Sequence, residues 1–166
     1  RAVIYADLES AIEEDGTHKT ILCGFVERDK KKVYIYETIW NLFTYAAKRP
    51  EEEVLVYFHN DEGYDFHFVL LELGKRSTDY VKKITVTADS SEKIRYFEVE
   101  FKPPNYEAKK IKFRDSFAFV QQSLEKWVKS TKDSGYNFPC FKQTFRDPRK
   151  QELVLQKNPF PYNAIK

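Results

Sequence analysis

The stretch from Val54 to Leu71 constrains the fold most. Val54, Leu55, Val56, Tyr57 and Phe58 form a continuous block of aliphatic and aromatic residues, the pattern of a buried strand. Phe66, Phe68, Val69, Leu70, Leu71 and Leu73 then recur at near-helical spacing, with Gly74 as a stop. Between the two runs lies a polar joint, His59-Asn60-Asp61-Glu62-Gly63-Tyr64-Asp65. In open α/β sheets such strand-to-helix joints border the crevice in which ligands bind. Asp65 falls in the first helical turn. It serves there either as an ordinary N-terminal capping carboxylate or as a group presented rigidly into that crevice.

The chain in front of this unit reads as strands. Ala2 to Ala6 is a strand running into Asp7-Leu8-Glu9-Ser10, Thr20 to Glu27 a second and Val33 to Tyr36 a third. Arg28-Asp29-Lys30-Lys31-Lys32 is a solvated hairpin tip rather than a binding patch. Thr38 caps a helix that carries Ile39, Trp40, Leu42, Phe43, Ala46 and Ala47 on one face and stops at Pro50. Behind the central unit, Ile84 to Thr87, Tyr96 to Phe101 and Ile111 to Arg114 read as strands. Asp115-Ser116 opens a segment with a helical face at Leu124, Trp127 and Val128. From Lys132 to Lys150 no period survives, and Leu153-Val154-Leu155 is strand-like. This order predicts an α/β fold: a mixed sheet flanked by helices, with an antiparallel hairpin at its front.

The 166 residues suit one domain with a substantial core, so residues 1–166 are read as a single unit. A net charge of +2 permits contact with nucleic acid without arguing for it. Aromatic residues reach 16%, which serves a core and also supplies platforms for unpaired bases. Of the two cysteines, Cys23 lies in an apolar run and reads as a buried thiol. Cysteine usage therefore points to an intracellular, reducing compartment rather than a disulfide framework. The sequence contains no signal peptide and no membrane-spanning run. It opens directly on a strand and holds no methionine, as expected of a segment of a longer chain.

Asp7 and Glu9 are two residues apart, so a strand places both on one side. Like charges so close are costly unless a cation neutralises them, and a hard divalent ion such as Mg²⁺ prefers oxygen ligands. Alone, Asp-x-Glu is more often an exposed acidic strand end. Joined by Asp65 after a later buried strand, it becomes three carboxylates able to converge on one sheet edge. Two metal ions there would polarise a phosphoryl oxygen and generate hydroxide from water.

These residues carry a resemblance. Asp7-Leu8-Glu9-Ser10 resembles the first motif of the DEDD-type 3′–5′ exonucleases, which have a ribonuclease-H-like (RNase-H-like) fold. Asn60-Asp61-Glu62-Gly63-Tyr64-Asp65 resembles their second motif as found in family B DNA polymerases. Tyr57-Phe58-His59-Asn60 is similar to the strand end of the protein-primed branch, known from viruses and transposons. Ser123-Leu124-Glu125-Lys126-Trp127 resembles that branch's single-strand-binding motif, and Lys157-Asn158-Pro159-Phe160-Pro161-Tyr162 a further stretch of its viral and transposon members.

The resemblance implies roles. Asp7, Glu9 and Asp65 are the catalytic carboxylates and hold two Mg²⁺ or Mn²⁺ ions. Asn60 and Tyr64 grip the terminal nucleotides, with His59 and Ser10 near phosphate or sugar. Ser123 and Leu124 contact the single strand, and Ser116 competes for that contact; Ser123 equally suits a helix cap and His59 a strand end. Trp40 and Trp127 read as core. Implied partners are a single-stranded DNA 3′ end, the rest of a polymerase chain and a terminal priming protein. One departure stands out. The third motif, Tyr-x-x-x-Asp on a late helix, is missing, because neither Tyr136 nor Tyr162 is followed by Asp at the fourth position. The resemblance therefore implies an exonuclease portion that stops before its last carboxylate. The alternative is a non-catalytic module of the same fold that binds a single strand.

Overall fold

Alternation along the first strand sets the two faces of the sheet. In β1 (Ala2–Ile12), Ala2, Ile4 and Leu8 are buried in the main core, while Tyr5 and Asp7 are exposed on the opposite face. The computed structural model describes residues 1–59, 64–75, 79–90 and 93–156. Its elements continue with β2 (His18–Glu27), β3 (Tyr34–Tyr36), α1 (Trp40–Ala47), β4 (Glu53–Phe58) and α2 (Tyr64–Lys75). Then come β5 (Val81–Ser90), β6 (Lys93–Phe101), β7 (Lys109–Asp115), a 3₁₀ turn (Ser116–Ala118), α3 (Leu124–Asp133), α4 (Pro139–Thr144) and α5 (Pro148–Val154).

The seven strands form one mixed sheet in the order β3-β2-β1-β4-β7-β6-β5. β1, β4 and β7 run parallel at the centre, and antiparallel strands complete both flanks. The expected mixed α/β sheet and frontal hairpin are both present. The basic tip at Arg28–Lys32 is exposed, as its charge requires.

α1 and α2 cover one face. Leu42 and Phe43 of α1 and Phe66, Val69 and Leu73 of α2 share a cluster with Ile4, Val56, Phe97 and Phe113. Phe113 stacks on Phe97 at 4.4 Å between ring centroids and also meets Phe43 and Phe58. Truncating such a fully buried ring costs about 3–5 kcal/mol, so Phe113→Ala would damage this core severely. The N-cap of α1 is Ile39 rather than the expected Thr38, which lies one residue earlier and accepts the Trp40 N–H through its Oγ1 at 3.2 Å. Trp40 packs against the same core. Cys23 is a free, fully buried thiol. Among the described residues no helix is long and apolar enough to cross a membrane.

Two expectations are corrected. β1 does not stop near Ala6 but runs to Ile12, because β2 pairs with it as far as Ile12–His18. Asp7 and Glu9 therefore lie inside a strand rather than at its end. Leu153 and Val154 are not a strand either: they close α5, which Pro148 opens and Asp147 caps by accepting the Arg149 N–H at 2.9 Å. The aperiodic segment before them contains α4. Lys157–Tyr162 lies outside the described residues.

A candidate carboxylate site where the central strands part

β1 outruns its parallel neighbour. Its last pairing with β4 is Tyr5 with Tyr57, and β4 ends at Phe58. Asp7 thus stands just beyond the braced part of the sheet, opposite Gly24 of β2. The joint after β4 brings the chain back into α2, whose first turn carries Asp65. The two carboxyl groups meet there and hydrogen-bond to each other.

The electrostatics follow from that meeting. Burial, then the charge of Glu9, pushes the Asp7 carboxyl up to about 6, with Asp65 and the Leu8 N–H acting against the shift. Burial, then the charge of Asp7, pushes Asp65 up to about 7. A hydrogen bond between two carboxyl groups needs one proton, which the pair shares, so the two titrate together rather than singly. Glu9, half-buried, is raised by burial and acts on both aspartates through its charge. Asp7 remains open to solvent. A hydrated ion can therefore approach it although the protein around it solvates its charge poorly.

His59 closes the end of β4. Its Nε2 lies 2.7 Å from the Gln122 carbonyl oxygen, which only accepts, so Nε2 donates. Its Nδ1 lies 2.9 Å from Ser116 Oγ, and that hydroxyl is also 3.1 Å from the Phe58 carbonyl oxygen. Phe117 and Trp127 pack against the imidazole at 5.6 and 5.2 Å. Both ring nitrogens are thus engaged by protein, and neither is offered to a ligand in this arrangement. The ring ties β4 to the connector between β7 and α3, and its charge favours the ionised form of Asp7.

The other expected residues divide. Ser116 belongs to the His59 cluster at the site. Ser123 caps α3, its Oγ accepting the Lys126 N–H at 3.3 Å. Leu124 is exposed at the start of that helix. Ser10 is half-buried in β1, next to a register irregularity after Glu9. Tyr64 begins α2, but its side chain, like all of Asn60, lies outside the described residues. The residues missed were Gln122, whose backbone carbonyl accepts from His59 and leaves no mark in the sequence, and Arg114, whose place beside Tyr57 and Tyr96 only the strand register reveals.

Hard oxygen donors suit Mg²⁺ or Mn²⁺, and two carboxylates that must share a proton to coexist are stabilised when a cation replaces it. The Asp7–Asp65 pair fits such an ion. Among the described residues, no group of three or more His, Cys, Asp or Glu is gathered closely enough to hold a metal.

The chain matches the family described as DNA polymerase type B, organellar and viral, over residues 46–166. Its fold is similar to part of Phi29 DNA polymerase solved with primer-template DNA, with a TM-score of 0.62 at 12% identity, covering 80% of this chain and 24% of that one. The same polymerase solved with single-stranded DNA gives a TM-score of 0.62 at 12% identity, again over 80% and 24%. Its orthorhombic crystal form gives 0.61 at 13%, over 80% and 23%. The mixed sheet with flanking helices is thus of the RNase-H-like kind expected. This chain spans about a quarter of the length of those structures. No curated protein sequence matches it significantly.

Proposed function

The chain belongs to the organellar and viral type B DNA polymerases, and we propose that it is the 3′–5′ proofreading exonuclease portion of a protein-primed member, acting on a single-stranded DNA 3′ end. The observation that carries this reading is the meeting of Asp7 and Asp65, two groups 58 positions apart in sequence, where the central strands part. Asp7 and Asp65 would hold the divalent ion, with Glu9 beside them as a further negative charge rather than a third close ligand. When bound, such an ion polarises the phosphodiester and lowers the pKa of attacking water.

The chain's own residues do the rest. The charges of Asp7 and Glu9 would attract a cation to the solvent side of the crevice, and the Asp7–Asp65 pair would release its shared proton on binding one. His59 and Ser116 hold the connector against the end of β4, so that the wall of the crevice is fixed before a strand enters. Asn60 and Tyr64 grip the terminal nucleotide. The solved complexes of Phi29 DNA polymerase with primer-template and with single-stranded DNA support a DNA strand as ligand.

The test is removal of a mismatched 3′ nucleotide by the full-length protein in Mg²⁺. Asp7→Asn and Asp65→Asn should each slow excision by about 10²-fold or more while leaving nucleotide addition in place. Unchanged excision in both variants would overturn the assignment.

A second reading is a non-catalytic single-strand-binding module of the same polymerase. The lack of a three-ligand cluster among the described residues favours it. A Mn²⁺ titration to millimolar concentration separates the two readings. Binding that Asp7→Asn abolishes supports the nuclease, and no binding supports the module.

A further inference from the structure

The sheet face turned away from α1 and α2 carries an ordered row. Register sets Tyr5 beside Tyr57, Tyr57 beside Arg114, and Arg114 beside Tyr96, one residue from each of four neighbouring strands. Alternation places Asp7 on the same face of β1 as Tyr5. Tyr5 and Tyr57 stack at 6.3 Å, and Phe119, 70% exposed, meets Tyr57 edge-on.

Arg114 is the anomaly in this row. Its guanidinium lies 5.0 Å over the Tyr96 ring, yet among the described residues no carboxylate pairs with it, and its buried Nε has no hydrogen-bond partner. The nearby acids are otherwise engaged. Glu98 accepts the Tyr96 hydroxyl at 2.9 Å, and Asp115 accepts the Phe117 N–H at 2.9 Å. Beside the guanidinium opens a cavity of about 210 Å³, lined by Tyr96, Arg114, Asp115, Ala118 and Phe119. A buried Nε with an unmade hydrogen bond is costly, and an anion bound by the guanidinium in the cavity would offset that cost. An arginine flanked by aromatic faces suits a phosphate with its base: charge for one, stacking for the other.

We propose that this slot is a second contact for single-stranded DNA, in which Arg114 binds a backbone phosphate and Phe119 stacks on the adjoining base. The proposal rests on the reading of Asp7 and Asp65 as the place where the 3′ end sits. Two strand spacings separate Arg114 from Tyr5, and two residues separate Tyr5 from Asp7, roughly 12 Å in all. That is roughly three to four stacked nucleotides. The slot takes the strand upstream of the terminal nucleotide and lengthens the footprint beyond the crevice.

The test measures binding of 5′-labelled oligo(dT) of three and of eight nucleotides to the full-length protein, in chelator so that no cleavage intervenes. Arg114→Ala and Phe119→Ala should each weaken the eight-mer about tenfold and leave the three-mer unchanged, and Arg114→Ala should reduce the salt slope by about one. Because Phe119 is exposed, its variant folds even if loss of Arg114 disturbs the sheet. Equal affinity of wild type and both variants for both lengths overturns the slot. Length-dependent loss without any excision activity upholds the slot and sinks the nuclease reading instead. Maleimide labelling of Phe119→Cys, against the unsubstituted protein as background, decides whether protein covers this face. Labelling that added eight-mer blocks supports the proposal, and a thiol already protected in the free protein overturns it.

Discussion

Asp65, in the first turn of α2, and Asp7, in β1, are hydrogen-bonded carboxyl to carboxyl and share one proton. Two acids that share one proton record how close the fold forces them, and the sign of their response to pH follows. The Asp65 carboxyl moves from its ordinary 3.8 to about 7 in the native state. Between those values the folded protein holds a proton that the unfolded chain has released. The associated stability is complete below the ordinary value and is lost as pH rises through about 7.

Asp65→Asn keeps a donor toward Asp7 and removes the charge. In chelator at pH 8 this variant should be more stable than wild type by about 1 kcal/mol after allowance for solvent screening, or about 2–4 °C in Tm. At pH 5 the difference should shrink. Thermal unfolding at the two pH values checks this, and an equal or lower Tm at pH 8 counts against the shared proton.

Divalent cations should reverse that penalty. Mg²⁺ or Mn²⁺ in large excess over its dissociation constant should raise the Tm of wild type at pH 8, since a hundredfold excess adds about 2.7 kcal/mol. Protons compete for the same oxygens, so the gain should fade as pH drops through 7 and 6. Asp7→Asn should show little of it. A rise of equal size in that variant would place the ion elsewhere.

The latch at His59 is a structural prediction. His59→Ala leaves the Ser116 hydroxyl and the Gln122 carbonyl without the imidazole, and an unmet buried group costs about 1–3 kcal/mol. Ser116→Ala alone should cost less, and the two changes together should be non-additive by about 0.5 kcal/mol or more. Urea unfolding of the four proteins measures the coupling, and strict additivity would dissolve the latch.

Glu27 behaves oppositely to the aspartates. It is nearly buried, with Lys30 at 2.8 Å, the Tyr45 hydroxyl at 3.0 Å and Arg49 at 3.3 Å. Burial alone would raise its carboxyl, but these partners hold it below the ordinary 4.5. Its contribution is therefore present above that value and lost as pH falls through the lower native one. Glu27→Gln should cost about 1–3 kcal/mol at pH 7 and less in acid. A penalty that does not change with pH would contradict the charge network.

Much of this was legible because period and punctuation agree. The block Val54–Phe58 and the run from Phe66 to Leu73 are apolar enough to leave only a buried strand and an amphipathic helix. Asp7 and Asp65 stood out because each is a carboxylate set against an apolar run, Ala2 to Ala6 before the one and Phe66 to Leu73 after the other. The length of β1 was not legible, since Ser10, Ala11 and Ile12 carry no strand pattern of their own and are held by β2. α5 was mistaken because Leu153-Val154-Leu155 shows the same local pattern in a strand and at a helix end, and only the Asp147 cap and Pro148 decide it. His59 could not be assigned from sequence, because its partners are a backbone carbonyl and a serine 57 residues away.

The uneven support of β1 has one more implication. Up to Tyr5 this strand is braced by β4, while from Asp7 onward β2 is its only strand partner among the described residues, with a slipped register just past Glu9. Asp65 is anchored to the body of the molecule by α2, so the jaw of the crevice that carries Glu9 is the compliant one. Bending of the hairpin, more than motion of the helix, would alter the distance between Glu9 and Asp65. Changes at the distant Glu13–Thr17 tip reach Glu9 before they reach Asp7.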